Sequence, residues 1–301
     1  MLFFTILNSL SMAASFTMRT IPCPIGADQV RVYDVASDNQ LGGFDSDLAT
    51  YSSGEQARQY TLSSCANNYF SLYGEDMSRI IPDDLAAKLL RQTEDLRQSF
   101  ADPQNPKIWE RYWLAAENYR LLNESPLFVA NVYMTAMWSA RDTIVGYHSG
   151  LNGPLLIDQL LEQAPIELSK PLTPDQRKVL LFNLARIAHR GGYSELRDNY
   201  IESFSALPNL TPSEKESAEH FRFITKEVEP LFQIKLQSLL TPAILTELNS
   251  EERAYAHYIL GDIARRQGSV EQALDHYQAV ISEEKAEEKI STLAKYFINK
   301  K

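Results

Sequence analysis

From Pro82 to the end of the chain, apolar residues recur at helical spacing, and short breaks rich in proline interrupt the recurrence. Leu85, Leu89, Leu96 and Phe100 fall on one helical face behind Asp83-Asp84, two acids placed where a helix N-terminus favours negative charge. "DPQNP" then breaks the helix. Pro126, Pro154, Pro165, Pro171, Pro174, Pro208, Pro212, Pro230 and Pro242 are read as marking further breaks. Strand signals are few. Residues 80–301 are therefore expected to form one all-helical domain. Helical hairpins this short cannot bury an apolar face alone, so neighbours must stack.

Residues 16–79 read differently, as a small lobe rich in strands and turns. "QVRVYDV" alternates, with Val30 and Val32 on one face of a half-buried strand. "SDNQLGGF" is dense in turn formers, and "ARQYTLSSC" reads as a second strand ending at Cys65. Tyr33, Tyr51, Tyr60, Tyr69, Phe70 and Tyr73 either fill a small core or form a ligand-stacking patch. Cys23 and Cys65 are the only cysteines. In an oxidising compartment they are expected to pair. Two free thiols remain the alternative. A metal site would have to recruit carboxylates such as Asp28, Asp45 or Asp47, because no histidine precedes His148.

Export is suggested by residues 1–15. An apolar run from Leu2 to Leu10 precedes small residues, with Ser11 and Ala13 suited to a signal-peptidase site. The basic start of a signal peptide is missing, which a misplaced start codon would explain. The run is too short to span a bilayer as a helix, and no later stretch is long enough. The mature chain is thus expected to be periplasmic or secreted, without an integral membrane segment. A net charge of −10 with no basic run excludes nucleic acid as an expected partner.

Two resemblances refine this. Cys23-Pro24-Ile25-Gly26, "DSDLATY" and Ser64-Cys65-Ala66-Asn67-Asn68-Tyr69 resemble the N-terminal knuckles of a bacterial family known as domain of unknown function 2225. The likeness extends to Tyr112–Arg141. Gly26 replaces a family cysteine, so the family's metal site does not carry over. The resemblance implies an exported relative that kept one cysteine per knuckle and bonded the two. "AYAHYILGDIARRQGSVEQALDHYQAVI" resembles a tetratricopeptide repeat at Leu260, Gly261, Gly268, Ala273 and Tyr277, where small residues permit close helix approach. More worn hairpins are read at Leu180–Phe204 and Tyr112–Trp138, and a capping helix with Ile290, Leu293 and Phe297 inside. The expected fold is mainly α: an irregular tetratricopeptide-like helical-hairpin solenoid with a small N-terminal β-rich lobe.

Chemistry is sparse. The five histidines, His148, His189, His220, His257 and His276, are scattered without metal-ligand spacing, and no phosphate-binding glycine loop or nucleophile elbow occurs. His257 and His189 read as packing and helix-end residues. No catalytic residue, metal or cofactor is assigned. The favoured function is a non-catalytic exported scaffold or adaptor that binds a protein or peptide in a helical-repeat groove. Groove candidates are Tyr112, Asn118, Asn183, Arg186, Tyr258 and Asp262. The alternative is an envelope hydrolase with a site gathered around His148 or His189. A deep polar cleft holding such a histidine beside a carboxylate and a hydroxyl would favour that alternative.

Overall fold

The computed structural model describes residues 15–147 and 151–300, so residues 1–14 of the expected signal segment, and His148, lie outside the described residues. In chain order the elements are β1 (Ser15–Pro22), β2 (Gln29–Ser37), β3 (Gly43–Phe44), β4 (Thr50–Tyr51), α1 (Arg58–Thr61), β5 (Leu62–Ser64), β6 (Ser71–Tyr73), a 3-10 turn (Gly74–Ser78), α2 (Asp83–Arg97), α3 (Ile108–Leu121) and α4 (Pro126–Arg141). There follow β7 (Leu151–Asn152), α5 (Gly153–Ser169), α6 (Pro174–Gly191), α7 (Ser194–Ser205), α8 (Pro212–Phe223), a π-helical turn (Ile224–Val228), α9 (Glu229–Leu239), α10 (Pro242–Glu247), α11 (Ser250–Arg266), α12 (Val270–Ser282) and α13 (Glu288–Asn299). The protein is mainly helical with small antiparallel hairpins toward its N-terminus, as expected.

Prolines start helices more often than they stop them. Ser125-Pro126, Thr173-Pro174, Thr211-Pro212 and Thr241-Pro242 each place a hydroxyl at the N-cap and proline in the first turn. The hydroxyl accepts an orphan backbone N–H, and proline has none to leave unsatisfied. Two prolines depart from the expected breaks. Pro165 lies inside α5. Pro230 follows the π-turn, whose register shifts where proline has no N–H to give.

The chain packs as two units. The first comprises residues up to Leu41, Tyr51–Thr143 and Ile234–Leu239; the second Gly42–Thr50, Ile144–Gln233 and from Leu240 onward. This division differs from the boundary expected at residue 79/80. The composition change at Pro82 marks a change of secondary structure within one core. Asn118 of α3 donates to the Ser71 carbonyl of β6 and accepts from Thr93 of α2, and Tyr119 accepts from the Tyr73 amide while donating to Asp76. β1 pairs antiparallel with β2, Ile21 opposite Val30 and Arg19 opposite Val32, and both valines are buried. The expected strand at "ARQYTLSSC" is corrected: Arg58–Thr61 form one helical turn, tied by an Arg58–Asp142 pair, before the short β5. Cys23 and Cys65 form a disulfide, with Cα atoms 5.8 Å apart, which removes the free-thiol alternative. Tyr51 and Phe70 are core residues.

In the second unit α6–α7 and α11–α12 are the main hairpins, turned by Gly192 and Gly268 at positive φ. Leu260, Gly261, Ala273 and Tyr277 are buried, whereas Gly268 sits at the exposed turn. A Cβ on Gly261 would lie 2.9 Å from the Tyr277 ring, so glycine is what lets α11 and α12 meet there. Ile290, Leu293 and Phe297 face inward from α13, as read from the sequence.

Candidate functional site

The second unit is organised by a buried ionic network. Residues 42–50 run into its interior, where Gly43 lies so close to Leu151 of β7 that any Cβ would overlap the Leu151 carbonyl. Asp45 pairs with Arg190, both fully buried. Ser46 Oγ accepts from Arg265 and Arg266 at 2.8 Å each, and its carbonyl accepts from the Tyr258 hydroxyl at 2.5 Å. Arg265 donates to the Gly191 carbonyl and Arg266 to the His189 carbonyl, so two guanidiniums cover the negative C-terminal end of α6. Asp262 holds both arginines, at 2.5 and 2.6 Å. Burial penalises its carboxylate, but Arg266 and Arg265 outweigh that and hold its pKa well below the usual carboxylate range.

Around this network lie two cavities. The first is an apolar cleft of about 380 Å³ between the start of α7 and α12, closed at one end by α13. Tyr193, Tyr277 and Phe297 give it an aromatic lining, and Phe297 stacks on Tyr277 at 5.4 Å. The Arg265 guanidinium lies over the Phe297 ring at 4.3 Å. Val270 and Leu196, 65% and 38% exposed, form the lips. The second cavity is polar, about 310 Å³, and is lined by His189, Arg197, Glu229 and Arg266 among others. Here His189 Nε2 is 3.1 Å from Glu229 Oε1, and its Nδ1 is 2.6 Å from the Tyr147 hydroxyl.

That trio matches the residue types expected of a hydrolase, but not the access. Tyr147 is fully buried and His189 and Glu229 nearly so. Both imidazole nitrogens are engaged, and the Tyr147 hydroxyl on the ring belongs to a fully buried side chain. The arrangement packs the end of α6 against its neighbours.

Four groove candidates are corrected. Tyr112, Asn118, Tyr258 and Asp262 are buried, their polar ends spent on interior partners: Tyr112 on the Arg58 carbonyl, Asn118 on Ser71 and Thr93, Tyr258 on Ser46, and Asp262 on the two arginines. Polarity on the first helix of a hairpin was read as solvent-facing, whereas here it satisfies inserted backbone. Asn183 and Arg186 are half-buried and line a smaller cleft of about 220 Å³ with Phe182 and Phe204. Burial pushes the Arg186 pKa down to about 10. Leu196, Val270 and Leu274 of the apolar cleft carry only a weak sequence signal, an apolar residue on the outer side of a hairpin's second helix. Among the described residues no group of three or more His, Cys, Asp or Glu is placed to hold a metal ion, and no helix is long and apolar enough to cross a membrane. The chain matches no protein-family model, no curated protein and no solved structure.

Proposed function

We propose that this protein is an exported, non-catalytic adaptor that binds an extended segment of a partner protein. The apolar cleft between α7 and α12 receives one bulky apolar side chain of that segment. The observation that carries this reading is the cleft itself: an aromatic pocket with two exposed aliphatic lips, Val270 and Leu196. Its size suits one or two side chains, and an apolar floor within a polar surround is how such anchors gain affinity. The resemblance to tetratricopeptide repeats supports the same class of function by analogy. Export is supported by the Cys23–Cys65 disulfide.

The test is selection of a phage-displayed random peptide library on the intact protein, followed by titration of enriched peptides. Peptides with a large apolar residue are expected, and Val270→Glu should weaken them tenfold or more while leaving the thermal midpoint in place. Failure to enrich any peptide, or equal binding by Val270→Glu and wild type, refutes the reading. The hydrolase alternative has the His189–Glu229–Tyr147 contacts in its favour and the burial of all three against it.

A further inference from the structure

The first unit holds a larger cleft, about 730 Å³, between the β1–β2 hairpin and the α1–β5 segment, with α3 at its edge. Its lining includes Arg31, Tyr33, Gln59, Tyr60, Ser63 and Arg111, and no aspartate or glutamate. That charge balance runs against the protein as a whole, whose net charge is −10.

The two arginines differ from five others in the same unit, while Arg91, whose Nε donates to the Ala87 carbonyl, also makes no ion pair among the described residues. Arg19, Arg58, Arg79, Arg97 and Arg120 each sit on a carboxylate. Neither Arg31 nor Arg111 makes an ion pair among the described residues, and the buried Nε of Arg111 has no hydrogen-bond partner. Burial pushes the Arg111 pKa down. A half-buried guanidinium with no counter-charge costs stability. Ser63 adds a second unsatisfied group: it is 2% exposed, and its hydroxyl has no partner. Tyr33, two residues beyond Arg31 on β2, meets Tyr60 edge to face at 5.6 Å. Glu55 accepts from the Tyr60 hydroxyl but does not line the cleft.

We propose that this cleft binds a small organic oxyanion, a carboxylate or phosphate carried on a hydroxylated body. Arg31 and Arg111 take the charge, Tyr33 and Tyr60 lie against the body, and Gln59, whose amide nitrogen donates to Asp142, offers its carbonyl oxygen to a hydroxyl. Guanidiniums suit carboxylate and phosphate alike because their planar donor fork matches both. In an otherwise acidic protein, a cleft with cations and no acids is where an anion is drawn. This inference is independent of the peptide reading, which concerns the other unit.

Glucuronate and glucose 6-phosphate distinguish the two oxyanion sources, and glucose is the neutral control. Titration calorimetry on the intact protein is expected to show binding of at least one anion, weakening as salt rises, and none of glucose. Arg31→Gln and Arg111→Met should each reduce affinity tenfold or more. Arg111→Met should also unfold no earlier than wild type, because it removes an unpaired charge; Arg31 is exposed, so its variant keeps the readout if the first misfolds. Binding of neither anion at millimolar concentration, equal binding of glucose, unchanged affinity in both variants, or a lowered midpoint in Arg111→Met overturns the proposal.

Discussion

Replacing Cys23 and Cys65 together by alanine should lower the stability of the first unit by about 4 kcal/mol. The bond joins residues 42 positions apart, and freeing a loop of that length returns about 4 kcal/mol of chain entropy to the unfolded ensemble at 25 °C. Both sulfurs are buried, so lost packing adds to this rather than offsetting it. At about 3 °C per kcal/mol for a unit of this size, the midpoint should fall by roughly 12 °C. The sequence supplies a clean probe. All three tryptophans, Trp109, Trp113 and Trp138, lie in the first unit. Intrinsic fluorescence therefore follows that unit, while far-UV circular dichroism follows both, and two non-coincident transitions are expected. The bond also joins the two walls of the oxyanion cleft, since Arg31 and Tyr33 follow Cys23 and Gln59 to Ser63 precede Cys65. Guanidinium titration of oxidised wild type against the double variant decides the matter. A fluorescence midpoint displaced by less than about 1 kcal/mol would show that the loop is held by its packing alone.

Asp45→Ala should destabilise the second unit by about 3–5 kcal/mol, because it strands Arg190 in the interior; the circular dichroism transition should move and the fluorescence transition should not. The His257–His276 contact, Nδ1 to Nδ1 at 2.9 Å, gives a pH dependence. Burial lowers both pKa values below 6.5, with Glu283 opposing and Arg253 assisting at His257, and His257 assisting and Asp275 opposing at His276. The unfolded chain then binds more protons, so this contribution is full above pH 6.5 and is lost as pH falls below it. His257→Gln with His276→Gln should flatten the midpoint of the second unit between pH 7 and 5; an unchanged slope refutes the assignment.

Local signals carried far along the chain and then stopped. The glycine turns at Gly192 and Gly268 and the apolar stripe of α13 are each decided within a few residues, so those hairpins could be read, whereas the prolines read as breaks are in part Ser/Thr-Pro helix starts. "ARQYTLSSC" misled because Tyr60 and Thr61 favour strands, while the Arg58–Asp142 pair and the Tyr112 bond to the Arg58 carbonyl hold that stretch as a helical turn. Tyr112, Asn118 and Tyr258 resemble surface residues in the sequence because their partners lie 25 to 212 positions away, and Asp262 does so because its pairing with Arg265 and Arg266 turns inward and not to solvent. The apolar cleft draws in part on the repeat-like residues Gly268, Ala273 and Tyr277, whereas the cleft of the first unit assembles from segments with no common motif.

Residues 42–50 have a bearing on how the second unit comes into being. Asp45 must wait for Arg190, 145 positions later, and Ser46 for Arg265 and Arg266, 219 and 220 later. On a ribosome this nonapeptide emerges long before the helices that enclose it, and it stays uncommitted until they arrive. A fragment starting at residue 144 would retain α6 and α11 yet leave three arginines facing an empty slot. Supplying the 42–50 peptide in trans is the natural way to complete such a fragment.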